Sequence, residues 1–339
     1  MRELVDRLCS DECAGRQTGT PGGRAARGVV VSALQAAGLD PREQPLPDIG
    51  GANLIAALPG EIDRWILVAA HYDHLGTEGR KVYRGADDNA ASVAILVELG
   101  RRFAAERAAG RGVILAAFDA EEPPYFLSSQ MGSQQYARDP SVPLEQIDLM
   151  VCLELVGHAL GEPGLPDGVR QSLFALGGER SAGTSESIDA VRVPGVEIMR
   201  ADAEIIPPLS DYLAFWERSR PFVLLTGGRS RRYHTPEDRP EHLDFARMKA
   251  VADWLERFVR SSCARDEAPF GFRSRRDDVS TLDSLARLLT PLAAVSRMAE
   301  MGLARARELR GRCSADGSLP PELHPHLEQL VSAIESALA

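Results

Sequence analysis

Between residues 52 and 119 the chain reads ANLIAAL, WILVAAH and GVILAAFD, three nearly uninterrupted apolar runs of strand length bounded by polar or glycine-containing stretches. Between the second and third lies NAASVAILVELGRRFAAERAAG, whose apolar positions fall at helical spacing, so the local order is β-β-α-β. Upstream, AARGVVVSALQAAGLDP carries the same period and stops at Gly38 and Pro41, a usual helix end. Downstream, IDLMVCLELVGH, SLFALG, VEIMR and PFVLLTGG predict further strands, and LDFARMKAVADWLERFVRSS another helix. A strand that is apolar at nearly every position is buried on both faces. Helices alternating with such strands therefore predict an α/β protein, a three-layer α/β/α sandwich around a mostly parallel mixed sheet.

From about Ala264 the pattern changes. RDEAPFGFRSRRDD is polar and loop-like, and STLDSLARLLTPLAAVSRMAEMGLARARELR and PPELHPHLEQLVSAIESALA then read as two amphipathic helices joined by GRCSADGSLPP. The chain accordingly divides into a main domain over residues 1–263 and a helical hairpin over 264–339. Leu282, Leu285, Leu289, Leu292 and Val295 form an apolar stripe that needs a partner, and Pro291 should kink the first helix. The stripe can pack on the main domain, join a second copy of the chain in a homo-oligomer, or cover an active site.

Charge narrows the function. Against 39 Lys and Arg stand 49 Asp and Glu, a formal charge of −10 spread without a long basic run, so neither nucleic acid nor an anionic membrane is expected as a partner. No stretch approaches the roughly 18 apolar residues of a membrane helix. MRELVDRLCSDECAG lacks the layout of a signal peptide, so the expected location is the cytoplasm, with secretion as the alternative if the chain is trimmed. The five cysteines are scattered and odd in number, which reads as reduced thiols rather than a disulfide framework.

In open α/β sheets ligands bind beyond the carboxyl ends of the strands, so polar residues just after apolar runs are the candidates. WILVAAHYDH ends on His71 and Asp73, two apart and on one face if the strand continues. Asp73 is placed to accept the other ring N–H of a metal-binding His71, although a solvated turn would look the same. RGADDNAAS puts Asp87, Asp88 and Asn89 before a helix, where they would also serve as caps. FDAEE supplies Glu121 and Glu122, whose side chains diverge, so that one can bind a metal while the other faces water. Glu154 sits between Leu153 and Leu155, an odd place for an unpaired acid, while His158 reads as polar surface. His234 follows the last strand. Jointly, His71, Asp88, Glu122, Glu154 and His234 after strands or at a helix start make a specific pattern.

On AGRQTGTPGG, AAHYDH, GADDNAASVA, FDAEE with the later MGS, SDYLAF and YHTPED, the chain resembles the family-28 metallopeptidases over roughly residues 7–260. These are two-zinc exopeptidases that include bacterial leucyl-type aminopeptidases and glutamate carboxypeptidases. The resemblance implies the zinc exopeptidase fold, with residues 1–263 as catalytic domain and two Zn2+ ions as cofactors. His71 and Glu154 would hold one ion, Glu122 and His234 the other, and Asp88 would bridge them. Glu121 would be the general base acting on a metal-bridging water, and Tyr233 a donor to the developing oxyanion. The substrate would be a peptide or a small amide, cleaved at its N-terminal bond.

Three departures stand out: Glu154 where the family usually has aspartate, the longer stretch PPYFLSSQM before Gly132 and Ser133, and Tyr212 where many relatives have histidine. The Arg229, Arg231 and Arg232 cluster offers cations for a substrate carboxylate, or is simply exposed. Other readings are a glutamate-type carboxypeptidase, an N-acyl amino acid or amide hydrolase, a glutaminyl cyclase, and a non-catalytic scaffold of the same fold.

Overall fold

A computed structural model of the protein describes residues 1–266 and 268–339. Its strands, in chain order, are β1 (Arg42–Leu46), β2 (Gly51–Leu58), β3 (Ile62–His71), β4 (Gly76–Glu78), β5 (Lys81–Tyr83), β6 (Arg111–Phe118), β7 (Ile147–Glu154), β8 (Ser172–Leu176), β9 (Glu197–Ala201) and β10 (Phe222–Thr226). Eight form one mixed sheet in the order β1-β2-β6-β3-β7-β10-β8-β9, and β4 and β5 form a separate hairpin. The four central strands β6, β3, β7 and β10 are mutually parallel, so their carboxyl ends open on one edge. On either side, β1, β2 and β8 run antiparallel to their inner neighbours, and β9 is parallel to β8. This is the three-layer α/β sandwich that the apolar runs predict.

Side chains alternate across the sheet. From β3, Ile66, Val68 and Ala70 enter one core, while Leu67 and Ala69 enter the other. The first core is covered by α1 (Arg2–Leu8), α2 (Pro21–Ala36), α3 (Ala91–Ala105), α6 (Thr184–Ala190) and α8 (Phe245–Cys263). The helix α2 starts where Thr20 accepts a hydrogen bond from Gly23 N–H with Pro21 in the first turn, and the chain turns away at Gly38, φ +82°. The second core lies under α4 (Gly132–Arg138), α7 (Leu213–Trp216), α9 (Asp278–Leu289), α10 (Arg297–Arg310) and α11 (His324–Leu338), and one-turn α5 (Asp167–Arg170) leads into β8.

The C-terminal segment forms three helices, not two. Pro291 has no N–H to continue the ladder and crowds the preceding turn, so the helix stops at Leu289 rather than kinking and restarts at Arg297. Ser296 caps the new start through Ala299 N–H. Val295 falls in the break and is 83% exposed, so it leaves the expected stripe. Leu282, Leu285, Ala306, Leu309, Leu327 and Leu330 share one cluster with Leu67 and Ala69 of the sheet, which makes these helices part of the second layer. Along the outer edge of β9, Ser284 Oγ donates to Arg200 O at 2.7 Å and Asp202 N–H donates to Thr281 Oγ1 at 2.8 Å. Buried Arg111 pins the polar connection after α8 by donating to Arg265 O and Ala268 O, each at 2.8 Å. Among the described residues no helix is long and apolar enough to cross a membrane.

Candidate metal centre

The sheet register sets the site. His71 is the last residue of β3 and pairs with Phe118, so the turn after β6 brings Glu121 and Glu122 beside it. Glu154 ends β7 opposite Thr226 of β10. Asp88 lies in the turn that enters α3, and His234 in the loop after β10. Ala120, Leu155 and His234 all have φ between +54° and +62°. Such left-handed residues cost on the order of 1–3 kcal/mol each unless the surroundings enforce them. Ala120 directly precedes Glu121 and Leu155 directly follows Glu154.

The five expected ligands and the expected base come together. His71 Nε2 lies 3.3 Å from both Asp88 Oδ1 and Glu154 Oε1, and 3.8 Å from Glu121 Oε2. His234 Nε2 lies 3.1 Å from Asp88 Oδ2 and 3.3 Å from Glu122 Oε2. Ligand atoms of His71, Asp88 and Glu154 fall within 4.8 Å of one another, and so do those of His74, Asp88 and Glu122. Asp88 thus belongs to both groups. Despite their 3.1 Å approach, Asp88 Oδ2 and His234 Nε2 are not aligned as a hydrogen bond, and neither finds another partner. Buried lone pairs aimed at shared space rather than at donors are what a cation site requires.

Asp73 sits behind His71, but its carboxylate serves mainly the neighbouring turn, accepting from Glu121 N–H and Glu122 N–H at 3.1 Å each. The nearer acceptor for His71 Nδ1 is Asp73's own carbonyl at 3.3 Å, against 3.6 Å to Oδ1. Tyr233 stacks on His234 with ring centroids 3.8 Å apart.

A profile of peptidase family M28 matches residues 53–259, and the matched segment carries every residue of this cluster. The chain belongs to peptidase family M28. It is 31% identical over 234 residues to the uncharacterized protein YfbL of Escherichia coli K12, covering 62% of this chain and 71% of that one. Among solved structures it resembles a glutaminyl cyclase from Porphyromonas gingivalis (20% identity, TM-score 0.60, 77% of this chain and 96% of that one). It also resembles a Zn-dependent exopeptidase from Parabacteroides distasonis (20%, 0.59, 77% and 98%). A leucine aminopeptidase precursor from Bacteroides thetaiotaomicron is similar too (19%, 0.59, 78% and 96%). At these identities the solved structures show a shared fold alone; it is the family match that makes the chain a metallopeptidase-type hydrolase.

Several supports of this M28 site stand in or near the family motifs, but the sequence pattern does not say what they hold. Asp238 accepts from Asp87 N–H at 2.9 Å and Asp88 N–H at 3.1 Å. Buried Arg16 donates to Tyr72 O and Gly85 O at 2.7 Å and to Asp88 O at 3.1 Å, tying the turn to the end of β3. Asp87 caps nothing: it holds His158 Nδ1 at 2.6 Å, and His158 is buried rather than at the surface. His74, wholly buried, places Nδ1 2.8 Å from Glu122 Oε1. Its position three residues after His71 was the one visible signal.

Burial raises the Glu121 carboxyl well above the usual range, with Glu154 and Glu122 adding to it and His71 opposing. Burial also raises Glu154, and it pushes Asp211 up to about 7. Burial alone would raise Asp88 and lower His234. Instead the neighbouring imidazoles hold Asp88 low, and the Asp88 and Glu122 carboxylates lift His234 to about 10. Among the described residues no Arg or Lys pairs with Asp88, Glu121, Glu122 or Glu154, so histidines alone offset this charge.

The departures are accommodated. The longer Glu154 side chain puts Oε2 within 2.7 Å of Ser210 Oγ, which donates to it. Tyr212 is core, stacked on Phe222 and Trp216. Phe126 of the long loop lines the cavity beside the cluster. Arg229 and Arg231 are paired with Glu335 and Glu162.

Proposed function

We propose that this chain is a two-zinc exopeptidase that hydrolyses the N-terminal peptide bond of peptides. The observation that carries it is Asp88, whose Oδ1 lies 3.3 Å from His71 Nε2 and whose Oδ2 lies 3.1 Å from His234 Nε2, with Glu121 left beside them and facing the cavity. His71 and Glu154 would complete one ion's protein ligands, and Glu122 and His234 the other's. Bound zinc supplies Lewis acidity, polarising the scissile carbonyl and making water a nucleophile near neutral pH. Glu121 then accepts the water's proton and delivers it to the leaving amine. Tyr233, held against His234 at the cavity wall, offers its phenol to the oxyanion. The free α-amine of the substrate is received by the Glu121 and Glu154 carboxylates, which selects N-terminal residues over N-acyl ones.

The test is zinc content per chain together with hydrolysis of aminoacyl, N-acyl and C-terminal glutamyl substrates, before and after chelation. Two zincs and chelator-sensitive release of N-terminal residues are expected. Glu121→Gln should keep its zinc and lose on the order of 10²–10⁴-fold in kcat, the usual worth of a general base. Cyclisation of N-terminal glutamine without hydrolysis, or near-wild-type turnover by zinc-loaded Glu121→Gln, refutes the proposal.

A further inference from the structure

Helix α10 is apolar on two faces. Ala299, Leu303, Ala306 and Leu309 are buried and join the clusters that hold it to α9 and α11. Facing away from them, Met298 is 73% and Met301 61% exposed, with Val295 at 83% just ahead of the helix and Ala304 exposed one turn further on. Among the described residues Leu127 is the one other exposed large apolar side chain. A surface helix ordinarily turns charged and polar residues to water, and single apolar residues scattered over a surface need no account. Three gathered on one strip mark a contact. No residue of α10 lines the cavity beside the metal centre, so the strip does not serve that site.

The charges along the strip say what covers it. Arg297 and Glu308 stand eleven residues apart, close to three helical turns, so they share one side of α10 with Met301 and Ala304 between them. Among the described residues Arg297 has no ion-pair partner, and Glu308 pairs only with Arg305, at 2.7 Å. An antiparallel copy of α10, related by a two-fold axis midway between Met301 and Ala304, brings each Arg297 level with the other copy's Glu308 and each Met301 level with the other copy's Ala304. A parallel copy would set Arg297 against Arg297. Self-complementarity of the first kind is what a two-fold contact between identical chains requires. We infer that α10 joins two copies of this chain antiparallel, through Met298, Met301 and Ala304, with Arg297 of each paired to Glu308 of the other. The helix has 14 residues and so is about 21 Å long. One such helix offers less than the roughly 800 Å² per partner of a standard interface, so the dimer forms reversibly, with Kd in the micromolar range. The inference is independent of the metal chemistry.

The test is sedimentation of the full chain from about 1 to 300 µM, concentrations that bracket a micromolar Kd. The average mass should rise from one chain toward two and no further. Met301→Glu should weaken the dimer at least about tenfold, because a charge is then buried in the seam. A glutamate there stands one turn from Arg297 and Arg305, so the helix itself is kept. Arg297→Glu or Glu308→Arg alone should weaken it at least about fivefold by setting like charges level, and the double charge swap should restore it to within about twofold of wild type. A chain that stays monomeric throughout, growth beyond two copies, or a dimer indifferent to Met301→Glu overturns the inference. So does a double swap no better than either single reversal.

Discussion

Removal of the Asp73 carboxylate separates two roles that one side chain can hold. In Asp73→Ala the amides of Glu121 and Glu122, both buried, lose their acceptors at 3.1 Å. Leaving a buried donor unsatisfied costs about 1–3 kcal/mol, so the pair should cost roughly 2–6 kcal/mol. That is a large share of the roughly 5–15 kcal/mol that stabilises a typical domain. Asp73→Asn keeps one acceptor oxygen and should lose about half as much. Urea unfolding in excess chelator measures this without metal linkage. With zinc restored, kcat should fall because Glu121 is no longer held, while zinc affinity falls less than tenfold, since the Asp73 carbonyl at 3.3 Å still accepts from His71. The opposite result refutes the reasoning. Stability within about 0.5 kcal/mol of wild type, as for an ordinary surface change, with zinc affinity down 10–100-fold, would mean that the carboxylate serves the imidazole instead.

Ser210→Ala removes the hydroxyl that donates to Glu154 Oε2 at 2.7 Å. It should weaken one of the two proposed zinc sites by about 10–100-fold, the usual effect of losing an outer-shell partner, seen as a biphasic chelator competition; a single unchanged phase contradicts it. Glu179, in the turn after β8, is raised from 4.5 to about 7 by burial and then by Asp202. A carboxyl raised in the folded state favours folding below its unfolded pKa, and that contribution is lost as pH rises from 4.5 to about 7, on the order of 3 kcal/mol. Glu179→Gln should therefore show a smaller decline in urea-unfolding stability than wild type between pH 4.5 and 7.5. Parallel slopes would count against the assignment.

The fold was legible where burial left no choice. β3, β6, β7 and β10 are covered on both faces, so their apolar runs were strands or nothing, and the candidate ligands other than Asp88 follow because they stand at or after the ends of those runs. β1 was not legible. Arg42, Glu43 and Gln44 look like loop, and Pro45 lacks a donor, which is tolerable only because β1 pairs with β2 alone at the edge of the sheet. The candidate ligands that the structure brings together could be picked out by type and position, but their scaffolding could not. Arg16, Asp87 and Asp238 stand in the family motifs, but they act, like the Asp87–His158 pair, on backbone or side chains far away in sequence, and no local pattern says which. In the C-terminal segment the stripe was right through Leu292. The break around Pro291 was underestimated, because a proline that can be bridged inside one long helix differs from a stop only in what each half packs against.

The hydroxyls of Thr281 and Ser284 have a meaning beyond the cavity they border. They occupy backbone groups on the outer edge of β9, where an uncovered strand would accept another chain. At the far edge, Pro45 and the charges of Arg42 and Glu43 discourage the same event. Helix α9, which lines the cavity, is therefore also a guard against strand addition. A protein cut back to the M28 segment would leave that edge bare to a second chain.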